Sequence, residues 1–184
     1  MINGFKPAKL PPKTPEHADT KPRKTEIMNT NTQARDLAKQ APHNPRERVA
    51  GFVIAARTID KCRANAAGTL GEYHYDCPLD NVLFSFMGIT GAQFISAVAS
   101  TKNNEDVGTW LQTNGTTKTS DEIKAWSDGV EASSIMKNPE KRDFFVTDCK
   151  RLGINPETSS TFDWLEEDDR ASFQPTSQKK GCCS

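Results

Sequence analysis

The side chains able to do chemistry gather in one stretch, IDKCRANAAGTLGEYHYDCPLD, from Ile59 to Asp80. Pro78 suits the first position of a helix, which makes Cys77 its N-cap and places a thiol where the helix dipole attracts negative charge. Asp76 and Asp80 crowd the same end with charge of that sign. His74, three residues back, is a candidate base, so Cys77 and His74 together sketch a thiol nucleophile, with Asp60 and Arg63 to hold the pair. No oxyanion-stabilising set can be named beside them. The same stretch offers ligand-binding candidates in Asp60, Lys61, Arg63, Glu72, Tyr73, His74 and Tyr75. Gly68 and Gly71 bracket a turn with free backbone N–H groups, but their spacing fits neither a P-loop nor a dinucleotide fingerprint.

Metal and cofactor chemistry find no motif. The five cysteines, at 62, 77, 149, 182 and 183, show neither CxxC nor zinc-finger spacing, and the three histidines, at 17, 43 and 74, are scattered. The acidic run from Asp163 to Asp169 lacks the alternating ligands and central glycine of an EF-hand loop and reads as a solvated face. An odd cysteine count without a disulfide framework points to a reducing, cytoplasmic setting. The N-terminus has no apolar h-region, and no run approaches the roughly 18 apolar residues of a membrane span. The terminal Lys179-Lys180-Gly181-Cys182-Cys183-Ser184 resembles a lipid anchor, but a prenylation box needs cysteine where Gly181 stands.

The elements that must carry these residues are read from caps and periodicity. At 184 residues with 35% hydrophobic and 26% charged content, the chain has the size of one domain plus tails. Its zero formal charge hides an asymmetry: residues 1–35 hold seven Lys/Arg against three Asp/Glu, and the remainder is acidic. An acidic domain without a basic stripe argues against binding a phosphate backbone, although the basic arm could touch nucleic acid weakly. Residues 1–34, rich in proline and lysine, and residues 174–184 are expected to be disordered.

Between these tails the spacing predicts a compact all-α bundle of about six helices. Asp36–Ala41 reads as a short lead-in turn. Asn44, Pro45 and Glu47 read as N-cap, N1 and N3 of a first long helix, whose inner face would run Val49, Phe52, Val53, Ala56, Ile59, Asp60 and Arg63. Along it, Asp60 is expected to pair with Arg63 or Arg57. Helix two should run from Pro78 to Met87 with Leu79, Val82, Leu83 and Phe86 inward. Thr90/Gln93 and Thr119/Glu122 form capping boxes for helices three and five, and Asn104 is the expected cap of helix four. Asn138-Pro139 should start helix six, burying Phe144, Phe145, Cys149 and Leu152. Ser160–Asp169 is expected as a short helix or turn, and Trp110, Trp126 and Trp164 as core residues.

The segments RDLAKQAPHNPRERVAGFVIAARTIDKCRA, GEYHYDCPLDNVLFSFMGITG, WLQTNG, EIKAWSDGVE, NPEKRDFFVTDCKRLG and STFDWLEEDDRASF resemble the mainly bacterial domain-of-unknown-function family numbered 5069, over about Arg35 to Phe173. The resemblance implies a small helical domain in a bacterial cytoplasm and implies no reaction. Three functions follow as alternatives: a module using the 59–80 wall to recognise a small ligand or a protein partner, a thiol enzyme built on Cys77 and His74, or a structural protein with these groups satisfied internally. The first is favoured, because two tyrosines and an Asp/Arg pair in one short segment suit recognition.

Overall fold

A computed structural model of the chain describes residues 34–173. The arm and tail expected to be disordered lie outside the described residues, apart from Ala34. Seven helices follow one another: α1 (Ala55–Ala67), α2 (Pro78–Met87), α3 (Gly91–Ser100), α4 (Asn104–Asn114), α5 (Ser120–Glu131), α6 (Arg142–Leu152) and α7 (Thr161–Phe173), with a 3₁₀ turn at Ile135–Lys137. No strand forms among the described residues, where the nearest approach to one is an isolated bridge between Val49 and Phe52.

Local chemistry sets most boundaries. Thr90 with Gln93 and Thr119 with Glu122 close reciprocal capping boxes. Cys77 is the N-cap of α2, with Pro78 in the first turn. Gly68, Gly88 and Gly153 end α1, α2 and α6 in the left-handed region, where only glycine escapes the steric cost of a Cβ. Asn103, one residue earlier than expected, caps α4 by accepting the Asp106 N–H at 2.8 Å.

Three elements depart from their sequence signals. The first helix begins at Ala55 instead of Pro45, and Asn44 caps only a turn, accepting the Arg46 N–H at 2.8 Å. Residues 49–54 form a loop, exposed at Ala50 and Gly51, in which Ala50, Gly51 and Ile54 all have positive φ. Phe52, Val53 and Ile54 are fully enclosed in it, so their apolar run carries no periodicity with which to separate loop from helix. Ile54, at φ 59°, is a strained position for a β-branched residue. It is held by its N–H bond to the Pro45 carbonyl at 2.7 Å, while its own carbonyl receives the Thr58 N–H at 2.9 Å.

Second, α6 starts at Arg142 because residues 139–141 form a turn, in which the Asn138 side chain accepts the Glu140 N–H and the Asn138 carbonyl accepts the Lys141 N–H. Third, Thr161–Phe173 is a full helix: the Ser160 hydroxyl accepts the Asp163 N–H, and the Asp163 carboxylate accepts the Ser160 N–H, a box that uses aspartate in place of glutamate. The inward faces also differ in part. Phe144 is 58% exposed and Val82 37%, whereas Phe145 and Cys149 are buried. Successive helical residues lie about 100° apart, so Phe144 and Phe145 cannot face one core.

The main core joins Phe52 and Ile59 to Leu83, Phe84, Phe94, Leu111 and Phe162, drawing on α1, α2, α3, α4 and α7. Trp110 and Trp126 pack on its margin, half-buried. Gly108 shows how tightly α4 sits on the 49–51 loop, because a Cβ there would lie 2.6 Å from the Ala50 Cβ and 3.0 Å from Val49 Cγ1. Gly108→Ala gains about 1 kcal/mol of helix propensity. It loses more to overpacking, typically about 1–3 kcal/mol. A lowered denaturation midpoint is expected, and a raised one would show that the loop yields.

Candidate functional site

The central helix α1 is buried on every side from Ala55 to Ala64, and that stretch includes Arg57, Thr58, Asp60, Lys61 and Arg63. Unpaired, each charge would cost several kcal/mol to take from water. Each is instead answered from another element, and among the described residues no buried side-chain polar atom lacks a partner.

Arg57 forms a two-pronged bond to Asp169 of α7, at 2.6 and 3.1 Å, and its guanidinium lies 5.3 Å from the Tyr73 ring centre. The Tyr73 hydroxyl donates to the same carboxylate at 2.6 Å. Burial, reinforced by this bond to Asp169, pushes the Tyr73 hydroxyl above its ordinary value, so it stays a donor. Lys61 sets its ammonium 2.7 Å from Asp80, which also accepts from the Thr58 hydroxyl at 2.9 Å and from the Cys77 N–H at 3.2 Å. The same ammonium donates to the His74 carbonyl and to Cys77 Sγ, both at 3.3 Å. Lys61 thereby pins the 74–77 loop and the start of α2 to the central helix.

The pairs expected within α1 do not form. Asp60 accepts from the His43 backbone N–H at 2.8 Å and from its Nδ1 at 2.6 Å, and Arg35 Nε lies 3.3 Å away. Arg63 points elsewhere and donates to Asn104 Oδ1 at 2.8 Å. Charges three residues apart on an enclosed helix can each reach a different neighbour, and here each does. His43 was not among the sequence candidates. Nothing in its local sequence marks it, because the contact spans seventeen residues.

The predicted site residues therefore separate. Glu72, Tyr73, His74 and Cys77 line one groove together with Arg57, while Asp60, Lys61, Arg63 and Tyr75 lie outside its lining. Tyr75 turns to α3, donating to the Gly91 carbonyl at 2.7 Å with its ring edge against Phe84. No hydrogen bond joins the exposed His74 ring to Cys77, and the amine beside the sulfur belongs to Lys61. The other two described cysteines are enclosed, and burial pushes the Cys62 thiol up to about 12. Among the described residues no three His, Cys, Asp or Glu side chains converge as metal ligands would.

The groove has a volume of about 1520 Å³ and passes between α2, α5, α6 and α7. Its apolar wall is Leu79, Val82, Trp126, Phe144, Trp164 and Phe173. Tyr73 stacks on Phe173, with ring planes 9° apart. Trp164 is held by its indole N–H donating to Asp148 at 2.7 Å, and Phe144 meets it edge-on. Apart from Phe173, this wall was read in sequence as core. The adjacent pair Phe144-Phe145 was the available signal that one aromatic had to face outward.

Fold and groove together define a small all-α protein in which a charged central helix holds a groove-lining loop. The chain belongs to the family described as Domain of unknown function (DUF5069), whose model matches residues 39–171. A search of curated proteins finds no match. No single helix among the described residues is long and apolar enough to cross a membrane, and α2 with α3 reach that length only as a pair bent by 83°.

The buried pairs predict unequal mutational costs. Lys61→Met strands Asp80 without its cation and is expected to lower stability by about 3–5 kcal/mol. Arg63→Leu leaves the partners of Asp60 in place and is expected to cost less than half of that in denaturant unfolding; equal costs would contradict this pairing.

Acid should also loosen the wall. Arg151, whose guanidinium donates to Asp148 at 2.5 and 3.0 Å, holds that carboxyl below the usual carboxylate range against the opposing effect of burial, and the Trp164 indole adds to the lowering. A depressed acid contributes its stability above the unfolded-state value near 3.8 and loses it as pH falls through the lower folded value. Below about pH 4 the wild type is therefore expected to lose stability more steeply than Asp148→Asn, with Trp164 fluorescence reporting the change. Parallel curves would place Asp148 outside this linkage.

Proposed function

We propose that the domain is a recognition module whose groove takes an extended apolar segment of a partner polypeptide. The observation that carries this reading is where the exposed apolar side chains lie. Of the three large hydrophobic residues most exposed among those described, Val82, Ile95 and Phe144, two line the groove. Contiguous exposed apolar surface of this kind marks interaction sites.

Size and polarity favour a polypeptide over a metabolite. Pockets for small molecules span about 300–1,000 Å³ and orient their ligand with a few free polar groups. This groove is larger, and two of its polar lining groups, Arg57 and the Tyr73 hydroxyl, are already committed to Asp169. Glu72 and Glu140, which take part in no ion pair among the described residues, favour a partner with basic flanks. A thiol-enzyme reading needs a base on Cys77, and Lys61, which stands there, is engaged by Asp80.

Selection from a random peptide library on the full chain is expected to yield apolar peptides flanked by Lys or Arg. Burying Phe144 is worth about 1.5–3 kcal/mol. Phe144→Glu should therefore weaken those peptides at least about tenfold, with Ile95→Glu unchanged. Equal loss in both variants, or in neither, would remove the groove as the recognition surface.

A further inference from the structure

Resting on that reading, we propose that the chain carries its own groove occupant: the basic, proline-rich segment Phe5–Pro15, FKPAKLPPKTP, docks in the groove in cis and a partner must displace it.

The first argument is chemical fit. Proline-rich segments are recognised by grooves lined with aromatic rings, because the extended polyproline helix is already ordered and loses little entropy on docking. Trp126, Phe144, Trp164 and Phe173 supply such a lining. The segment has prolines at 7, 11, 12 and 15, with Phe5 and Leu10 as apolar side chains. It also carries Lys6, Lys9 and Lys13 and no acid, while the groove charges without ion-pair partners among the described residues are two acids, Glu72 and Glu140, against one base, Lys141. The wider balance agrees: residues 34–173 hold sixteen Lys/Arg against twenty-one Asp/Glu, whereas residues 1–33 hold six against three.

The second argument is connection. The described chain enters beside the groove, since Leu37 and Ala38 line it and a Cβ on Gly71 would lie 2.8 Å from both the Ala38 Cα and the Leu37 carbonyl oxygen. Eighteen residues lie between Pro15 and Ala34. A stretch of that length can reach at most about 60 Å. The helices lining the groove are no longer than the 13 residues of α7, or about 20 Å at the helical rise. Tethering over such a distance gives an effective concentration near the millimolar range, so even a weak segment fills the site and lowers the apparent affinity of any partner.

The test uses the full chain, with Leu10→Ser/Pro11→Ser/Pro12→Ser as the arm variant, which leaves residues 34–173 untouched. The indole N–H resonances of Trp126 and Trp164 are expected to shift between wild type and variant, with that of Trp110, outside the groove, unmoved. A library-selected groove peptide is expected to bind the variant about tenfold more tightly than wild type. If that peptide binds both equally and still depends on Phe144, recognition by the groove stands and the arm is not its occupant. If no peptide depends on Phe144 even in the arm variant, the recognition reading itself falls. Indole shifts that follow Lys179→Glu/Lys180→Glu but not the arm variant would assign the groove to residues 174–184 and overturn the proposal.

Discussion

Placing a helix with four charged side chains at the centre of a small domain is the constraint on which the rest of this structure depends. Arg57, Asp60, Lys61 and Arg63 are all at least nine-tenths buried. Water cannot solvate them, so each needs a partner delivered by another element to within hydrogen-bond distance. Asp169 brings α7, His43 and Arg35 bring the entry segment, Asp80 brings α2, and Asn104 brings α4. Hydrophobic burial alone would tolerate many arrangements of amphipathic helices. These four partnerships select one, because an alternative packing strands at least one charge.

That constraint also shapes the groove. Arg57 reaches it from beneath, holding Asp169 and thereby the hydroxyl of Tyr73, whose ring stacks on Phe173. Lys61 holds the His74 carbonyl and the sulfur of Cys77 from behind. The loop residues at the groove are thus positioned by side chains they conceal, and the Arg57 and Tyr73 polar groups are used in supporting its wall. The same economy weakens a catalytic reading of Cys77, since the one amine at the sulfur is held by a buried carboxylate. Further out, Arg46 ties Glu131 of α5 to Asp163 and Glu166 of α7, so two groove helices are joined on their outer sides as well.

Much was legible in the chain itself. The all-α class, the starts of α2, α3 and α5 and the glycine stops of α1, α2 and α6 follow from caps, dipoles and φ preferences, which act within a turn or two and are written in neighbouring residues. Family membership was legible as well, through GEYHYDCPLD and the other segments matched between residues 39 and 171. So was the position of Cys77 as an N-cap and the presence of Glu72, Tyr73 and His74 on one loop.

Tertiary structure decided what depended on contacts distant in sequence. Whether residues 45–54 were helix or loop turned on the enclosure of Phe52, Val53 and Ile54 from all sides, which erases the periodicity that distinguishes the two. Which carboxylate answers Arg57 was open among several, and the answer lies 112 residues away. Phe144 could be core or groove, and only the placement of α6 against α7 turned it outward. Backbone preferences are local and therefore readable in order along the chain. The pairing of buried charges and the opening of a groove are properties of elements already assembled, and no single segment of this sequence contains them.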